Sequence, residues 1–127
     1  MNSFKPLLAA LVICLPLFAS AQQDFVGNWK TAIAMEDGSS LPTSVSILDD
    51  GSYTIDFGID GQVDVKGQDV IEGERVTIVD HATLAVECAG VKGVYRFTAD
   101  ASTLVMEKID DPCPGRGGDG PMHYTRL

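Results

Sequence analysis

The chain is short of the residues on which most enzyme chemistry depends. It has two histidines, His81 and His123, and neither sits in an H-E-x-x-H helix. It has no G-x-S-x-G elbow and no C-x-x-C pair. Its 18 acidic residues show no spacing that singles out a catalytic carboxylate pair. These absences point to a protein that is not an enzyme and needs no metal or other cofactor. Positive charge is scarce as well: 9 Lys and Arg against 18 Asp and Glu give a formal net charge of −9. Such a surface repels nucleic acid and anionic membranes. Solubility is the plain meaning of the acidity, and recruitment of a basic partner is the alternative. The acids Asp49-Asp50 and Asp56 to Asp60 fall at turns and lack the ligand spacing of a calcium loop.

Long apolar runs are missing too, apart from one at the start. Residues 1–21 carry a positive charge at Lys5, an almost wholly apolar stretch from Leu7 to Phe18, and the small-x-small motif Ala19-Ser20-Ala21. This is the pattern of a cleavable export signal. The apolar stretch falls short of the about 20 residues that a permanent membrane helix needs. Lipid attachment at Cys14 requires a small residue before it, and Ile13 stands there instead. The expected mature protein is therefore residues 22–127, one domain without an integral membrane segment, exported to the periplasm or beyond. Losing Lys5 takes its formal charge to −10.

Cysteine is nearly absent from that domain. Only Cys88 and Cys113 remain, and a lone pair in an exported small domain reads as a disulfide. No C-x-x-C or nearby histidine supports a reactive or metal-binding pair. A bridge closing this loop stabilises by about 3–4 kcal/mol in the chain-entropy account.

Helical periodicity does not appear after residue 21. What is present is alternation with period two, broken by turn residues at short intervals, the rhythm of an all-β sandwich or barrel. Strands are expected at 25–35, 43–48, 52–57, 62–72, 75–79, 93–98, 103–109 and in the closing His-Tyr-Thr-Arg-Leu. Tyr53, Ile55 and Phe57 alternate cleanly with polar neighbours. Val63 and Val65 are in phase, Val70 has the other parity, and Gly67 between them suggests a β-bulge. Residues 80–90 are less regular, and 110–121 hold too many glycines and prolines for regular structure. Eight strands joined by short hairpins predict an antiparallel up-and-down β-barrel with one disulfide.

Phe25-Val26-Gly27-Asn28-Trp29 resembles the G-x-W opening of the lipocalin and wider calycin barrels. In that group the tryptophan of the first strand closes one barrel end under a basic residue of the last, which implies Gly27, Trp29 and Arg126 as the closure here. Gly93-Val94-Tyr95-Arg96-Phe97 and Asp111-Pro112-Cys113-Pro114-Gly115-Arg116 are similar to segments of small exported bacterial lipocalin-like proteins. The resemblance implies binding of a small, apolar molecule. It departs from the larger transport lipocalins in its short chain, short hairpins and lack of an obvious helix, so a roomy interior is not expected.

Tyr53, Ile55, Phe57, Tyr95, Phe97 and Met106 are the candidate ligand-lining residues, with the tyrosine hydroxyls placed to orient a ligand. Together with Val76, Ile78 and Leu104 they serve equally as a solid core, and packing favours filling so small a barrel. Some calycin barrels hold haem through one histidine, and His123 in the last strand is the position for it; surface or core placement is the plainer reading. Two rival roles are a calycin-type inhibitor of a secreted protease and a structural envelope protein without a ligand. Gln22 to Asp24 make a short arm for the first of these.

Overall fold

The computed structural model describes residues 18–127. Most of the expected export signal, with Cys14, lies outside the described residues. A two-turn helix α1 (Phe18–Phe25) leads into eight strands: β1 (Gly27–Ala34), β2 (Ser40–Ile47), β3 (Ser52–Phe57), β4 (Val65–Glu72), β5 (Arg75–Ala82), β6 (Lys92–Ala99), β7 (Thr103–Asp110) and β8 (Met122–Arg126). A short 3₁₀ turn, Val86–Cys88, interrupts the β5–β6 connection. Each strand pairs antiparallel with the next, and β8 returns to β1 through Trp29↔Arg126 and Lys30↔Thr125. The result is a closed, up-and-down barrel.

Alternation along the strands sets its inside. Trp29, Thr43, Ile47, Tyr53, Val65, Val76, Tyr95, Phe97, Leu104 and Met106 are buried, while their strand neighbours are more exposed. Aspartates build several turns through their side chains: Asp37, Asp50 and Asp100 accept the amides of Ser39, Ser52 and Ser102 at 2.9, 2.9 and 2.8 Å. These are Asx turns, which spare the hairpins longer loops. These three carboxylates are therefore turn-forming.

The up-and-down order sorts the connections to two ends. The turns at 48–51, 73–74 and 100–102 gather with α1 and the C-terminus at one end. The longer connections at 35–39, 58–64, 83–91 and 111–121 surround the other. The Cys88–Cys113 disulfide, with Cα atoms 5.4 Å apart, ties two of these longer connections together.

Four sequence expectations need correction. The first strand starts at Gly27, because Phe25 ends a helix and plugs the barrel, its ring 4.7 Å from that of Phe97. The fourth strand starts at Val65, leaving Val63 in a loop and half-exposed. The fifth continues through Asp80 to Ala82. Pairing does shift at Gly67, but Lys66 faces Ala82 while Gly67 faces Asp80, so the additional residue is His81 on β5. Strand β4 keeps its parity: Val65 and Gly67 are buried, Asp69 and Ile71 half-buried, and Val70 is exposed.

Candidate functional site

A cavity of about 1020 Å³ runs from the barrel interior over the rim of the longer connections, where it is open. Val45, Ile55, Phe57, Ile78, Leu104 and Met106 supply much of its apolar wall. Segments 83–85 and 113–121 form its rim. Trp29, Val76 and Phe97 of the buried core stay outside this lining, so the interior that packing led us to expect filled is filled in part and open in part. Of the candidate lining residues, Tyr53, Ile55, Phe57, Tyr95 and Met106 border the cavity. Phe97 does not: it packs against Phe25 at the closed end.

The closed end is built around Trp29, which is fully buried. Its indole N–H donates to the carbonyl of Phe25 at 3.0 Å. Arg126 lies over the ring, with Cζ 4.1 Å from the centroid. The guanidinium also donates to the carbonyls of Asp24, Val26, Asp100 and Ala101 at 2.6, 2.9, 3.2 and 2.7 Å. Gly27 has φ +145°, and a Cβ on it would collide with Nη1 of Arg126. Gly27, Trp29 and Arg126 thus meet as one group, but they close the barrel and do not border the cavity.

Near the rim, five polar side chains form a chain. The Tyr53 hydroxyl donates to Asp80, whose other oxygen lies 3.2 Å from Nη1 of Arg116. Arg116 also donates to Asp111 through Nε at 2.6 Å and Nη2 at 2.8 Å, and to the carbonyl of Val91 at 2.8 Å. The Tyr95 hydroxyl donates to Asp111. The side chains of Asp111, Asp80 and Arg116 are 0%, 7% and 12% exposed. A buried fork between two carboxylates holds its geometry strongly, because breaking it strands a charge away from water. Gly67 makes this possible beneath Tyr53, since a Cβ there would strike the phenol that reaches Asp80.

Burial and then the Asp80 hydrogen bond push the Tyr53 hydroxyl far above the usual phenol range, and burial and Asp111 do the same to Tyr95. Burial alone would raise Asp111, but hydrogen bonds from Arg116, Tyr95 and the Cys113 amide outweigh it and hold the carboxyl below its ordinary value. Arg116 is raised in turn, chiefly by Asp111. Both phenols are therefore committed to carboxylates within the protein, not free to orient a ligand as the sequence suggested.

Asp69 behaves differently. It borders the cavity, its Oδ2 is buried, and that atom has no hydrogen-bond partner in the protein. Burial, and then the charge of Asp50, push its carboxyl up to about 6.

Comparison with protein-family models, with curated proteins and with solved structures finds no match. The site is therefore defined by its geometry. His123 lies at the rim but is exposed, and it alternates along β8 with the half-buried Met122 and Tyr124, so its ring is turned away from the interior. Asp56 at the end of β3 and Asp60 and Asp64 in the β3–β4 loop bring carboxylate oxygens within 4.8 Å of one another. Those carboxylates receive the amides of Asp60, Gly61, Gln62 and Phe57, which is loop construction.

Sequence reasoning missed Asp69, Asp80, Asp111 and Arg116 as site residues. Asp80 was readable: it extends the inward series Val76, Ile78 by one more step of two. Asp111 and Arg116 flank Cys113 in a loop, where no periodicity marks which side chains turn inward.

Proposed function

We propose that this protein is an exported, lipocalin-like binding barrel that holds a small, largely apolar molecule inside it, without catalysing a reaction. The observation that carries this is the cavity of about 1020 Å³ open at one end of a closed barrel. Pockets for small ligands usually measure about 300–1,000 Å³ with mostly apolar walls and few polar groups. A barrel of eight strands is the size at which an interior can hold one small ligand. The indole–guanidinium closure and the single disulfide support the likeness to calycin barrels, and the disulfide supports export. No helix among the described residues is long and apolar enough to cross a membrane. Asp24 and Phe25 are tied to the barrel, which weighs against use of this segment as an arm inserted into a protease.

The test is titration with N-phenyl-1-naphthylamine, a neutral dye that fluoresces on entering an apolar site. Binding to the native protein is expected to weaken by about tenfold in Ile55→Trp and in Met106→Trp, whose added rings fill the lumen. No dye binding, or binding unchanged in both folded variants, would overturn the reading. Trp29 is a poor reporter for this purpose, because it lies outside the cavity wall.

A further inference from the structure

We propose that the cavity selects a protonated amine carrying an apolar body, with the carboxylate of Asp69 as its counter-ion. This rests on the carrier reading above and narrows it to a class of ligand.

Three observations converge on it. Strand β4 keeps odd-numbered residues inward past Gly67, which turns Asp69 toward the lumen, and Ile78, its β5 partner, brings no charge to meet it. One carboxylate oxygen is buried there without a partner in the protein. Burying such an acceptor unpaired is costly, and a ligand that donates to it recovers that cost on binding. Finally, the other charged groups of the wall leave it acidic. Asp80 is matched by Arg116, but Arg116 already serves Asp111 as well, and Asp119 adds another acid at the rim.

The groups facing Asp69 favour a cation over an anion. Asp50 comes from the β2–β3 turn and Tyr53 from β3, with the Asp80–Arg116 pair beyond that tyrosine. Asp50 adds negative potential, and the Tyr53 hydroxyl is already donated to Asp80. An alkylammonium supplies a full charge and three donors at one end, while its hydrocarbon meets Ile55, Ile78 and Leu104. A fatty acid would bring a second negative charge to an acidic wall. A bare metal ion would find one carboxylate where several oxygen ligands are needed.

The experiment compares n-octylamine, 1-octanol and octanoate as competitors of N-phenyl-1-naphthylamine. At about pH 7.5 octylamine is expected to bind about tenfold more tightly than octanol, and octanoate more weakly than either. Asp69→Asn keeps the shape and removes the charge, so the ratio of amine to alcohol affinity should fall to about one. In the native protein the same ratio should shrink several-fold at about pH 5, where Asp69 carries a proton and octylamine is still charged. Equal affinities for amine and alcohol in the native protein would overturn the inference and leave the carrier reading standing. So would an amine preference that survives Asp69→Asn or is identical at both pH values. If neither the dye nor any of the three competitors binds, the carrier reading itself fails and this inference falls with it. Should Asp69→Asn not fold, the pH comparison on the native protein decides alone.

Discussion

The guanidinium of Arg126 spans two jobs that a lysine could not combine. Its edge donates to four main-chain carbonyls, two before β1 and two in the β6–β7 turn, while its face covers the indole of Trp29. A lysine offers a point charge with no flat face and no fork. Arg126→Lys is therefore expected to lose about 1–3 kcal/mol of unfolding free energy in urea titration, with Arg126→Ala losing more. Equal stability of Arg126→Lys and the native protein would refute this account. Asp69 sets the opposite case, a residue kept at a cost. Its carboxyl titrates at about 6 in the folded protein against an ordinary value of 3.8. The folded state therefore holds a proton that the unfolded chain has released between those values, so Asp69 subtracts stability as pH rises through that window. Discounted for its partial exposure, the penalty at neutral pH is about 1–2 kcal/mol. Asp69→Asn should melt higher than the native protein at about pH 7.5 and show no advantage at about pH 3.5. A gain of the same size at both pH values would show that charge is not the cause.

The connection between β7 and β8 has little regular structure, and its order comes from what it is attached to. Cys113 anchors it to the 3₁₀ turn, and Arg116 anchors it to Asp80 on β5 and to the Val91 carbonyl. Cys88→Ser with Cys113→Ser is expected to lower unfolding free energy by about 3 kcal/mol. Hydrogen exchange should locate the change, with faster exchange at 111–121 and at Gly90, whose amide donates to the main-chain carbonyl of Asp80, and little change along β1–β2. Faster exchange spread evenly over all strands would mean that the bridge supports the whole barrel instead. This loop also marks where sequence legibility ended. Strand number and order were readable because period-two alternation is a backbone property, reported by residues such as Tyr53, Ile55 and Phe57. The closure was readable because Gly27, Trp29 and Arg126 carry a recognisable chemistry together. Asp69 was hidden by Val70, an exposed valine whose apolar character placed the wrong face of β4 inward. The cavity was hidden because interior volume depends on barrel curvature and side-chain direction, which alternation does not encode. The helix α1 was hidden because two turns are too few to show a period.

At the scale of the whole molecule, closure is the property with most at stake and the least material holding it. The first and last strands are joined across about a hundred residues of sequence, as in the Arg126 to Val26 hydrogen bond, and β1 pairs with β8 at only two residue positions. Strand β8 nevertheless completes the inner wall with Met122 and Tyr124, and satisfies the outer edges of both β1 and β7. Removing it would leave two unpaired edges, and unpaired edges template intermolecular pairing. The net charge of −9 opposes association, but at ordinary salt that repulsion is damped beyond about 8–10 Å. Deletion of residues 122–127 is therefore expected to produce soluble oligomers or aggregates and not a monomer of lower stability. The association should grow with salt as repulsion between acidic barrels is screened. Light scattering after size-exclusion chromatography would check it at low and high ionic strength. A monomeric deletion variant that unfolds cooperatively would mean that β1 and β7 can satisfy one another without β8. Closure would then belong to the curvature of the other seven strands.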